Sequence, residues 1–161
     1  MHPTFAAAFD VTRIALADLD MALAGLPDEA ADWTPAPGTN SATVLVRHAL
    51  TATRFLAGTA SGLAPDRQAY VTGDRVEAFK AMGATAASLR AEVAVALEQL
   101  PALYERGDDA SLAAMTPWPL GDLGPRNGAF LLVHGVGHIR EHVGHIGLMR
   151  DLWVAAHPAG G

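Results

Sequence analysis

Apolar residues recur every three or four positions in four separate stretches of this 161-residue chain. Such spacing places them along one side of an α-helix, the side that packs against neighbouring helices. Pro27 closes the first stretch, whose repeating positions are Phe5, Phe9, Thr12, Leu16, Leu19, Leu23 and Leu26. The pattern therefore predicts an all-α fold in which helices pack side by side.

The second predicted helix follows a proline-rich connector and carries a histidine on its apolar side. Asn40 or Ser41 supplies a side-chain oxygen that caps its first turn, and the helix is predicted to run from about Ser41 to Leu56. Its inward positions are Val44, Leu45, His48, Ala52 and Phe55. We therefore expect His48 to point at the protein core.

The third and fourth predicted helices are longer. Asp74 and Glu77 resemble a capping box at the start of a helix of about 30 residues that extends to Leu103, with Pro101 kinking or ending its last turn. The fourth helix is predicted over Gly128–Val154. Four helices with two long connections indicate a four-helix bundle with crossover connections, and the length predicts a single domain over residues 1–161.

Charge and composition exclude several classes of function. The net charge of −6 with only 11 scattered Lys and Arg residues argues against a nucleic-acid surface and against a basic membrane-binding face. The chain has no run of apolar residues long enough for a membrane span and no basic leader, so we expect a cytoplasmic protein. Cysteine is absent, which removes disulfides, Cys-ligated zinc and a Cys nucleophile.

Four of the seven histidines lie in the fourth predicted helix, at positions 134, 138, 142 and 145. At 100° per residue they share an arc of roughly 80°, beside the apolar positions of that helix. Two imidazoles four residues apart can bind one divalent metal ion, and a third ligand must come from another helix. His48 is the only other histidine inside a predicted helix, because His2 and His157 lie near the termini. Spacing alone leaves the pair open: His138 with His142, with His134 or with His145.

The string HIREH, residues 138–142, also fits H-x-x-E-H, the inverted zincin motif in which Glu141 would be the general base. Such peptidases need a further ligand, usually an acidic residue well downstream. Only 19 residues follow His142, and Asp151 is the sole acid among them. We therefore favour a different metal site, in which Glu141 orients a ligand imidazole near His134 and His145 or is simply a solvated carboxylate.

Two motifs together resemble the DinB/YfiT-like superfamily of metal-binding four-helix bundles, over nearly the whole chain. The first is a W-x-P-x-P-G loop followed by Asn, Ser and a helical His; the second is H-x-x-x-H-x-x-[HQ]-I followed by Arg. The positions that match are Trp33, Pro35, Pro37, Gly38, Asn40, Ser41 and His48, then His138, His142, His145, Ile146 and Arg150. The resemblance implies that His48, His138 and His142 are the metal ligands. It places His145 at a position that is usually not a ligand, and His134 is an addition to the pattern.

The resemblance also implies a function. Characterised relatives are thiol S-transferases and isomerases that use bacillithiol, mycothiol or glutathione, with a divalent ion such as zinc or nickel, and dimers are common. We therefore expect a metal-dependent transferase that joins a low-molecular-weight thiol to a small electrophilic substrate, and the resemblance implies a homodimer. The alternatives are a non-catalytic or stress-related metal-binding protein and a metal-dependent hydrolase.

Four further residues are candidates for contacts around such a site. Trp33 and Trp118 lie in proline-rich connectors, where they wall the site or plug an end of the bundle. Arg47 and Arg150 are candidates to meet the carboxylates of a thiol cofactor, or are ordinary surface charges.

Overall fold

The computed structural model describes residues 1–118 and 124–158. Its helices are α1 (Pro3–Ala24), α2 (Ala42–Ala60), α3 (Arg67–Ala69), α4 (Arg75–Phe79), α5 (Ala86–Tyr104), α6 (Asp109–Ala113) and α7 (Gly128–Ala156). A 3-10 turn spans Asp28–Ala30, a π-helical turn spans Tyr70–Asp74, and two short antiparallel strands are β1 (Met115–Thr116) and β2 (Arg126–Asn127). The predicted all-α fold is confirmed.

The four long helices form the bundle. Both α1 and α2 pack against α5 and against α7, so that α1 lies diagonally opposite α2, and α5 lies diagonally opposite α7. The connection from α1 to α2 therefore crosses an end of the bundle, as the sequence predicts. None of the described helices has the length and apolarity that crossing a bilayer requires.

The apolar positions of the first two helices lie where their spacing predicts. Leu16, Leu19 and Leu23 of α1 are fully buried, and they meet the buried faces of α5 and α7 in one continuous core. Inside this core the hydroxyl groups of Thr12 and Tyr104 are hydrogen-bonded at 2.9 Å. Two polar groups from α1 and α5 thus satisfy each other, away from water.

Side-chain caps fix the starts of α2 and α7. The Ser41 hydroxyl accepts a hydrogen bond from the Val44 amide at 3.3 Å, as its position in the sequence predicts. The side-chain oxygen of Asn127 accepts from the Phe130 amide at 2.9 Å. These two caps belong to the helices that carry the histidines, so local sequence sets where each of those helices begins.

The prediction of one long third helix is wrong. Residues 80–85 are not helical, and Gly83 in this break has φ +81°, which an L-residue rarely adopts. Asp74 makes no capping hydrogen bond; the capping box belongs to Thr85 and Ser88, which start α5. Met82, one of the apolar residues at helical spacing in this segment, is 76% exposed.

Asp32, in the first connection, holds the break in place. One oxygen of its carboxylate accepts a hydrogen bond from the Thr43 hydroxyl at 2.6 Å, and the other accepts from the Gly83 amide at 2.6 Å. Asp28 of the same connection accepts from the Ala86 amide at 2.9 Å. The first connection is thereby tied to the starts of α2 and α5, and this tie separates α4 from α5.

Candidate metal centre

Three histidines from two helices converge in the bundle. His48 comes from α2, and His138 and His142 come from successive turns of α7. The Nε2 atom of His138 lies 3.1 Å from Nε2 of His48 and 3.2 Å from Nε2 of His142. One ligand atom from each residue lies within 4.8 Å of the other two. Helix packing thus brings His48 to the His138 and His142 pair.

These separations fit a single bound ion. Nitrogens about 2.05 Å from an ion lie about 3.3 Å apart at a tetrahedral angle and about 2.9 Å apart at a right angle. The observed 3.1 and 3.2 Å fall between these values. The three imidazoles could therefore hold one divalent ion and leave its remaining coordination positions free.

The electrostatics of the site favour neutral imidazoles. Burial lowers the pKa of His48 to about 4, helped by the neighbouring His138 and Arg75. Burial also lowers the pKa of His142 to about 3, with contributions from the other histidines. The pKa of His138 is lowered as well, mainly by burial. Since neutral imidazole is the form that binds a metal, the site needs no deprotonation at neutral pH.

Hydrogen bonds among the three rings cannot provide a partner for every one of their ring nitrogens. A neutral imidazole has one donor and one acceptor, so Nε2 of His138 cannot donate to both of its neighbours. The buried Nδ1 atoms of His48 and His142 have no hydrogen-bond partner in the described part of the chain. A cation shared by the Nε2 atoms would engage all three lone pairs at once, so the donor set fits a metal ion.

Glu141 lies close to only one of the three rings. Its carboxylate is 3.9 Å from Nδ1 of His138, too far for a direct hydrogen bond but close enough for electrostatic attraction. The sequence predicts Glu141 near His134 and His145; its charge partly offsets the lowering of the His134 pKa by burial, and it lines the same cavity as His145. Rotation of the carboxylate toward His138 would let Glu141 accept the proton on Nδ1 and orient that ring.

The other two histidines of α7 lie outside the convergent group. The His134 ring is stacked on Phe130 at 5.7 Å and meets the edge of Trp118 at 4.9 Å. His145 lies next to His142, with 5.7 Å between ring centroids. His134 thus continues an aromatic stack toward the site, and His145 flanks it.

The remaining sequence candidates have other contacts. Trp118 lies beside His134, near one side of the site, whereas Trp33 packs on Trp153 at 5.5 Å. Arg47 forms an ion pair with Glu92 at 2.7 Å, and Arg150 forms one with Asp151 at 2.8 Å. Neither arginine is thus a free cation at the histidine cluster.

Sequence reasoning missed two neighbours of the site. The Phe79 ring lies 4.6 Å from the His48 ring, and the Arg75 guanidinium carbon lies 4.7 Å from the Phe79 centroid. The apolar spacing predicts that this segment belongs to a long helix packed on the core. In the structure the helix ends after Phe79, and α4 packs against α2.

A cavity of about 420 Å³ adjoins the site on the side of His142. Its wall combines apolar side chains with Glu141, His145 and Asn40; the apolar ones include Leu45, Met149 and Leu152. A volume of this size suits a small organic molecule. The cluster is thus reached from a pocket that mixes apolar surface with a few polar groups.

Comparison with known proteins places this arrangement in context. A family model described as the DinB superfamily matches residues 12–155, from α1 to the last turn of α7. No curated protein matches the chain.

Proposed function

Because the chain belongs to the DinB superfamily, we propose that His48, His138 and His142 bind one divalent metal ion and that the protein is a metal-dependent transferase for a small thiol. The observation that carries the proposal is the convergence on one point of three imidazoles with lowered pKa values, two of them buried and one, His138, partly buried. The finer predictions are zinc or nickel as the ion, a homodimer as the assembly, and bacillithiol, mycothiol or glutathione as the thiol.

The bound ion would supply Lewis acidity, which lowers the pKa of a thiol at a free coordination position and makes its sulfur nucleophilic at neutral pH. The transfer would form a bond from that sulfur to an electrophilic carbon as the bond from that carbon to chlorine or to the epoxide oxygen breaks. Chloride would leave with the electron pair, or the epoxide oxygen would keep it and take up a proton, and the thiol proton would go to solvent. The chain has no cysteine, so the thiol has to come from outside.

The residues of the chain would hold the reactants and exclude water. His48, 8% exposed, and His142, 6% exposed, are both buried, so little water would reach the ion past these two rings. The cavity beside His142 offers apolar surface for the electrophile, with Leu45 and Leu152 among its walls. Glu141 is placed to accept the Nδ1 proton of His138 and so to fix the orientation of that ring.

The test combines elemental analysis with a conjugation assay. Untagged protein should carry close to one divalent ion per chain, and the loaded protein should conjugate a chlorinated or epoxide electrophile to at least one of the three thiols. His48→Ala should bind the ion more weakly and lose activity in proportion, while His145→Ala, a histidine outside the convergent group, should keep the ion. Metal-loaded protein without activity toward any thiol would contradict the transferase.

A structural metal is the second candidate, because the cluster joins the neighbouring helices α2 and α7. In that case removal of the ion would lower the melting temperature sharply, and no turnover would accompany binding. Turnover that persists in thiol-free buffer would instead indicate a metal-dependent hydrolase.

A further inference from the structure

One arginine lies next to the candidate metal centre without a matching carboxylate. The Arg75 guanidinium carbon lies 4.7 Å from the centroid of the Phe79 ring, and the His48 ring lies 4.6 Å from the same centroid. The cation and a proposed metal ligand thus contact the same aromatic ring. Such a cation over a ring face is held by attraction to the ring electrons, which fixes where its donors lie.

Arg75 differs from Arg47 and Arg90, two arginines of the bundle helices. Arg47 and Arg90 are each bonded to a carboxylate, Glu92 and Asp20, at 2.7 and 2.8 Å. Within the described ranges, no carboxylate forms an ion pair with Arg75, and its buried Nε has no hydrogen-bond partner. A guanidinium has five donors, and leaving the buried Nε–H unmatched is unfavourable.

Two nearby acids, Glu77 and Glu141, have other contacts. Glu77 pairs with Lys80 at 3.1 Å, and Glu141 lies toward His138, on α7. The positive charge of Arg75 contributes to the lowered pKa values of His48 and His138. The cation is therefore electrostatically part of the site, although it touches none of the three imidazoles.

We propose that Arg75 binds a carboxylate of the thiol co-substrate, so that the protein selects anionic thiols over neutral ones. This inference rests on the proposed transferase function and deepens it. The planar fork of a guanidinium matches a carboxylate with two parallel hydrogen bonds, which a lysine cannot reproduce. A charge-assisted contact of this kind strengthens binding about tenfold to a hundredfold.

The test uses the cobalt-loaded protein and two simple thiols that differ mainly in one carboxylate. Mercaptopropionate and mercaptoethanol are titrated while the sulfur-to-cobalt charge-transfer absorption is followed, which reports binding without turnover. The wild type should bind mercaptopropionate at least about tenfold more tightly. Arg75→Met should lose this preference by weakening mercaptopropionate alone, and Arg75→Lys should restore part of it.

Arg54→Met is the matched control. Arg54 is also half-buried, its Nε is also without a partner, and it lines a groove between α2 and α5 instead of the histidine cluster. This variant should keep the full preference. Arg75→Glu should reverse it, so that the aminothiol cysteamine binds more tightly than mercaptopropionate.

The outcomes separate this inference from the proposed function. Equal binding of the two thiols by the wild type, or a preference that survives in Arg75→Met, would overturn the role of Arg75 and leave the thiol-binding metal site intact. If no thiol produced the absorption band, the thiol transferase itself would be wrong, and the role of Arg75 with it.

Discussion

Replacing His48 by alanine tests the candidate metal centre most directly. The substitution removes one of three convergent nitrogens and leaves His138 and His142, which lie four residues apart on α7. A pair on one helix can still bind an ion, but the ligand from α2 is gone. We therefore expect weaker metal binding and not its complete loss.

The magnitude follows from the number of ligands. Structural zinc sites with four protein ligands bind with roughly 10–16 kcal/mol, which is about 2.5–4 kcal/mol for each ligand. Since 1.4 kcal/mol corresponds to a factor of ten, loss of one imidazole should weaken affinity about a hundredfold. Metal-free stability should change by only about 1 kcal/mol, because the lost packing on Phe79 is offset by removal of a buried, unpartnered nitrogen.

Two measurements check the expected loss of metal affinity and the expected change in metal-free stability. Competition with a chromophoric chelator gives the affinity, and thermal unfolding of the metal-free protein gives the stability. His145→Ala is the matched control, since its ring adjoins His142 but lies outside the convergent group. Retention of affinity within tenfold in His48→Ala, or an equal loss in His145→Ala, would refute the assignment of His48.

Two further predictions concern stability. In the metal-free protein, His48 and His142 have pKa values of about 4 and about 3, below the unfolded value near 6.5, so their contribution to stability is complete above pH 6.5 and is lost as pH falls. The melting temperature should fall between pH 7 and pH 5, more steeply than in a variant with both histidines replaced by glutamine; equal slopes in a calorimeter would count against buried neutral imidazoles. Asp32→Ala should destabilise the fold by about 1–3 kcal/mol in urea unfolding, because the Thr43 hydroxyl and the Gly83 amide lose their shared acceptor. Asp10→Ala, at an exposed position, should have little effect. A similar loss of stability in both variants would contradict this role of Asp32.

The helix predictions are confirmed where residues close together in the sequence determine the structure. The spacing of Leu16, Leu19 and Leu23 selects the buried side of α1 without reference to the rest of the chain, and Ser41 caps α2 through a bond to a residue three positions away. The third helix failed for the opposite reason. Its apolar spacing continues past residue 79, but the helix ends there: Gly83 has φ +81°, and its amide donates to a distant residue, Asp32.

The sequence by itself determined the kind of centre that this protein can form: no cysteine, histidines four residues apart on one helix, and one histidine on the apolar side of another. Helix periodicity fixes which residues share a face, so these statements need no tertiary structure. Which α7 histidines meet His48 depends on how α2 and α7 are set against each other, and spacing left three pairs open. The packing brings His48 to His138 and His142, and the break after α4 sets Phe79 and Arg75 beside them. Both results depend on contacts between residues far apart in the chain, which a local pattern does not encode.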